Sequence, residues 1–160
     1  MKNLLQNPLI KNILSALSVA VFGFILLNLT FLFDAVYQGV LRFIISRFIP
    51  LNPELNLRWL PPSMHASFAV VILIISWFVL RSKLRPLFKA TYLTVPTATT
   101  LVTLGLFLYR WPLISYILGG LLCLCALYYL YRAKQSWLYY YAIILVGLVL
   151  FIFTLSGGEI

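Results

Sequence analysis

Five long apolar runs divide this chain, at about 13–33, 66–81, 90–109, 113–131 and 138–156. Four have the length a helix needs to cross roughly 30 Å of hydrocarbon at about 1.5 Å per residue, and 66–81 is the short one, with a start nearer 63 as the alternative. Between the first two the pattern changes. Tyr37, Val40, Leu41, Ile44 and Phe48 recur at helical spacing, while Asp34, Gln38, Arg42 and Ser46 fall at every fourth position. That pattern predicts an amphipathic helix over 34–49, lying flat on the outer membrane surface, with a re-entrant or sixth membrane segment as the alternative. Pro50, Pro53, Pro61 and Pro62 then bound a loop carrying Glu54, Arg58 and Trp59, too short to be a separate domain.

Composition turns these runs into a class. Hydrophobic residues make up 63% of the 160 and charged residues 9%, with a mean hydropathy of +1.03, which excludes a soluble domain with a polar surface. The expected fold is an all-α integral membrane protein, a single domain of about five transmembrane helices plus the surface helix. The first run lies behind Lys2 and Lys11 and has no small-residue cleavage site after it, so it is expected to stay as an anchor.

A net charge of +9 raises the question of nucleic acid, but the basic residues sit in short clusters at the ends of apolar runs. Topology accounts for them better. With the amino terminus inside, Lys2, Lys11, Arg81, Lys83, Arg85, Lys89, Arg132 and Lys134 are cytoplasmic, and Arg42, Arg47, Arg58 and Arg110 are outside. The carboxyl terminus is then outside as well, and the cell membrane is the expected location. Nucleic acid is not an expected partner.

Within the runs, most polar or small residues have structural explanations. Thr91, Thr94, Thr97, Thr100 and Thr103 flank Pro96 and predict a kinked helix whose hydroxyls bond its own backbone and neighbouring helices. Gly119, Gly120 and Gly147 permit close helix approach. Tyr128, Tyr129, Tyr131, Trp137, Tyr139, Tyr140 and Tyr141 form an aromatic belt around one turn. Cys123 and Cys125 point about 200° apart on one helix and cannot bridge. No metal-ligand spacing occurs, and neither a metal nor another cofactor is expected.

Chemistry concentrates at the one histidine, the side chain that ordinarily changes charge near neutrality. His65 sits in Pro61-Pro62-Ser63-Met64-His65-Ala66, read as immediately preceding the second apolar helix at its outer end. Here the chain resembles the second signature of the type-2 phosphatidic acid phosphatase superfamily, in which Pro-Ser-x-His opens a membrane helix. Residues 108–119 look like a worn third signature, with Trp111 where that family has a histidine and Ser115 where it has an aspartate. The resemblance covers at most residues 58–125. It implies a lipid-phosphate phosphatase or headgroup transferase fold that has lost one of the two imidazoles the family's chemistry uses, and the orienting aspartate with it.

Two readings follow. In the first, His65, with Arg58, Ser63 and Arg110, holds an anionic lipid headgroup at the outer face; the guanidinium fork suits phosphate oxygens. His65 is also the one candidate catalytic residue if turnover survives. In the second, the chain is an accessory subunit or substrate-binding component of a larger membrane complex, or a homo-oligomer. Against both stands the plain alternative that Arg58 and Arg110 snorkel to lipid while His65 and Ser63 cap the second helix.

Overall fold

The computed structural model describes residues 7–48 and 60–156. Five helices account for nearly all of them: α1 (Pro8–Phe48), α2 (Leu60–Arg81), α3 (Pro86–Phe107), α4 (Pro112–Arg132) and α5 (Trp137–Leu155). All five are long and apolar enough to cross a membrane, and the described residues contain no strand. The protein is an all-α membrane bundle.

Proline marks where the helices begin. Pro8, Pro61, Pro62, Pro86 and Pro112 all lie in first turns, where a missing backbone N–H costs no hydrogen bond and the fixed φ favours the helix. At the head of α1, Asn7 Oδ1 accepts the Leu9 N–H at 3.0 Å, a side-chain cap for an otherwise orphaned donor. The α4 C-terminus closes differently. Gln135 N–H donates to the Leu130 carbonyl and Lys134 N–H to the Tyr131 carbonyl, each at 3.1 Å. This is a Schellman motif, and it holds Lys134 at a φ of 49°, a conformation usually given to glycine.

α3 is the central helix and touches all four others. Its small residues set the spacing. Ala90 packs with Val19 of α1 and with Leu138 and Ala142 of α5, and Val95 packs with Phe68 and Ile72 of α2 and with Leu26 and Leu27 of α1. Gly23 of α1 lies so close to α3 that a Cβ there would stand 3.0 Å from Thr94 Cγ2. α4 is peripheral. Leu130 is its one buried residue, while Leu113, Ile117, Leu121 and Leu124 face outward, as a lipid-facing helix requires.

The threonines of α3 meet the own-backbone half of the expectation. Thr91, Thr94, Thr97, Thr99, Thr100 and Thr103 each donate their hydroxyl to a carbonyl three or four residues earlier in their own helix. α3 runs on through Pro96.

Two expectations are corrected. The amphipathic segment 34–49 is not a separate surface helix: residues 34–48 continue the first span as one α-helix of 41 residues, roughly 60 Å long. No proline interrupts residues 9–48, so the change in hydrophobic pattern near Asp34 changes which face is polar and leaves the hydrogen-bond ladder intact. Likewise, α2 begins at Leu60 rather than at 66 or 63, because its two prolines occupy the first turn instead of stopping a helix. His65 is therefore inside α2, not before it.

Candidate functional site

The contacts of α1 fix the height of its polar residues. Val19 is level with Ala90, and Asp34 lies 15 residues further on, about 22 Å. The same rise along α3 reaches Gly105, two residues before that helix ends. Asp34 is thus near the end of the bundle where α2 begins, and α1 continues about 21 Å beyond it.

At that height Asp34 meets His65. Asp34 Oδ2 and His65 Nδ1 are 2.6 Å apart, an ion-pair distance between two helices that are 31 residues apart at this point in sequence. Both residues are buried, His65 to 3% exposure and Asp34 to 6%. Gln38, one turn after Asp34, donates its Nε2–H to the same Oδ2 at 2.9 Å. The period-four stripe read as the wet face of a surface helix therefore builds this contact. A second bond ties the same two helices: Tyr37 OH and Ser67 Oγ are 3.2 Å apart, and Ser67 donates to the Met64 carbonyl at 2.7 Å. Phe68 closes one side, its ring centroid 6.3 Å from that of His65 and 5.6 Å from that of Tyr37.

The pair is incompletely satisfied. His65 Nε2 and Asp34 Oδ1 are both buried and have no hydrogen-bond partner among the described residues. A buried polar atom without a partner costs about 1–3 kcal/mol, so two of them on one pair of ionisable groups call for an explanation. Chemically, a carboxylate on Nδ1 fixes the orientation of the imidazole and leaves Nε2 as the atom that can act on something else.

The other candidates are distributed unevenly. Ser63 lies in α2, two residues before His65, and is exposed. Arg110 is exposed in the turn between α3 and α4, at the same end of the bundle, but no hydrogen bond or ion pair among the described residues joins it to the pair. Arg58 and Glu54 lie outside the described residues. Trp111 and Ser115, the positions of the worn third signature, fall at the start of α4. No group of three metal-ligating side chains occurs among the described residues. A separate cleft of about 400 Å³ lies between α3, α4 and α5, bordered by Leu101, Gly119, Gly120, Gly147 and Phe151. It is apolar, and neither Asp34 nor His65 lines it.

Fold and site together define a polytopic helical membrane protein with a carboxylate–imidazole pair buried near one end of its bundle. Compared with protein-family models, curated proteins and solved structures, the chain matches none of them.

Proposed function

We propose that this membrane protein binds the anionic headgroup of a membrane lipid phosphate at its outer face, with the Asp34–His65 pair as the centre of the site. One observation carries the reading: Nε2 of the single histidine is buried, held in orientation by a carboxylate, and without a partner among the described residues. Arg110 at the same end, Ser63 on the same helix and Arg58 just before that helix supply further polar contacts for a phosphate. Since the ring is almost fully covered, a headgroup reaches Nε2 only by displacing what covers it.

Binding without turnover is the form this takes. Transfer of a phosphoryl group through a histidine uses one imidazole as nucleophile and another acid for the leaving oxygen, and this chain has a single histidine. A proton pathway through the bundle is the other use for a buried Asp–His pair, but among the described residues it lacks a continuation along α2 and α3. After Ser67, the next polar residue on α2 is Ser76, about 13 Å further along, and every described α3 threonine hydroxyl donates to its own backbone.

The test is retention of short-chain phosphatidic acid and phosphatidylglycerol against phosphatidylcholine by the purified chain in nanodiscs, with inorganic phosphate as a separate arm. The expected result is selective retention of the anionic lipids, lost in His65→Ala and weakened in Arg110→Ala, with free phosphate a poor competitor. Equal retention by wild type and His65→Ala contradicts the proposal. Phosphate release from phosphatidic acid that depends on His65 replaces binding with turnover.

A further inference from the structure

We infer that the end of the bundle opposite the Asp34–His65 pair carries a second lipid site, where the acyl chain of an anionic phospholipid lies in a groove and its phosphate meets Arg81. This site is independent of the headgroup reading above. A groove of about 280 Å³ has Pro96 and Thr97 of α3 as its floor, with Trp77 and Leu80 of α2 on one side and Leu122 and Ala126 of α4 on the other. Along α2 it runs from Leu73 to Leu80, about 10 Å, which is much of one leaflet's half of a roughly 30 Å hydrocarbon core. Its hydroxyls are already engaged. Ser76 donates to the Ile72 carbonyl at 2.6 Å, Thr97 to Leu93 at 2.8 Å and Thr100 to Pro96 at 2.6 Å. The groove therefore offers hydrocarbon to its occupant, and a polar occupant would be desolvated there without compensation.

At its end the groove meets positive charge. Arg81, the last residue of α2, lays its guanidinium over the Trp77 ring, 4.0 Å from the centroid, and Trp77 is a wall of the groove. Stacking holds the guanidinium flat against the indole and leaves its N–H edge open to a two-point contact with phosphate. Lys83, Arg85 and Lys89 follow within eight residues, and Arg132 and Lys134 stand at the same end, where α4 stops. Lys89 is used internally, donating to the Leu80 carbonyl at 2.6 Å. Among the described residues none of these cations forms an ion pair, and the one acid, Asp34, is at the other end of the bundle.

Charge decides the occupant. A second copy of this chain, inserted the same way up, would bring its own cations alongside these and be repelled. An anionic phospholipid carries phosphate for the guanidinium and hydrocarbon for the groove in one molecule, and the leaflet at that end supplies it. A basic side chain at an anionic membrane surface is worth about fivefold in affinity, which sets the preference expected from Arg81.

Trp77 is the reporter, since it both lines the groove and lies under Arg81. The full chain carrying Trp59→Phe, Trp111→Phe and Trp137→Phe, reconstituted in phosphatidylcholine bilayers, is titrated with phosphatidylglycerol brominated on its acyl chains and, separately, with phosphatidylcholine brominated in the same way. Expected is equal quenching of Trp77 at a mole fraction about fivefold lower for phosphatidylglycerol. That preference should be lost in Arg81→Gln and kept in Lys83→Gln and His65→Ala, while Ala126→Leu, which narrows the groove, should reduce quenching by both lipids. No preference between the two lipids overturns the inference. So does an equal loss in Arg81→Gln and Lys83→Gln, the mark of a diffuse cationic surface, and so does quenching that falls as the protein-to-lipid ratio rises, which puts a second copy in the groove. Thermal melts of each variant separate loss of the site from loss of the fold.

Discussion

Asp34 and His65, 31 residues apart in sequence and on different helices, meet through Oδ2 and Nδ1 at 2.6 Å with both side chains buried. The contact joins the long helix α1 to α2 near the end of the bundle. Taking one partner away leaves the other ionisable group buried without compensation. Asp34→Leu or His65→Leu is therefore expected to cost about 3–5 kcal/mol, while the double variant Asp34→Leu/His65→Leu costs less than the sum of the two single changes. Reversible unfolding in mixed micelles measures the cycle; additive losses would show that the two groups are not coupled.

The continuity of α1 predicts a distance. Spin labels at Leu17 and Phe43, both exposed on the same helix, stand 26 residues apart and should give one narrow distribution near 39 Å. A helix that turned onto the membrane surface near Asp34 would give a shorter or broad one. Val36→Pro should break the ladder and lower stability by about 3 kcal/mol.

Close approach of α1 to α3 depends on Gly23. A Cβ there would stand 3.0 Å from Thr94 Cγ2, so Gly23→Ala should destabilise by about 1–3 kcal/mol, and Thr94→Ala should recover part of that loss. Gly120 is the control: a Cβ there meets nothing within 4 Å, and Gly120→Ala should be neutral or slightly stabilising. Melting of Gly23→Ala, Gly23→Ala/Thr94→Ala and Gly120→Ala beside the wild type in one detergent decides it.

Lys134 occupies a left-handed conformation at the end of α4, with φ at 49°. Lys134→Gly should raise stability by up to about 1 kcal/mol by removing the Cβ clash, provided the Schellman hydrogen bonds stay. A drop in melting temperature would mean that the lysine side chain contributes more than its backbone costs.

These particulars show what a linear reading captures. Five membrane helices were legible because hydrocarbon thickness imposes a length that composition alone reveals. The α3 threonines were legible too, since a hydroxyl in a membrane helix has its own backbone within reach. The site was only half legible. His65 stood out by its uniqueness, but Asp34 was read as the first residue of a surface helix, because a carboxylate at the end of an apolar run looks the same whether it faces water or a partner helix. The period-four pair Asp34 and Gln38 was the available signal, and its meaning depended on knowing that α1 does not bend there. Pairing across 31 residues is a tertiary fact, set by the register of α1 against α2, and no local pattern encodes it.

The single histidine gives the central claim a direct readout, because a ring-nitrogen NMR spectrum of the protein contains one imidazole. In nanodiscs, the Nδ1 resonance should change in Asp34→Ala, and the Nε2 resonance should shift when short-chain phosphatidylglycerol is added but not with phosphatidylcholine. An Nε2 resonance unchanged by saturating anionic lipid would contradict the account.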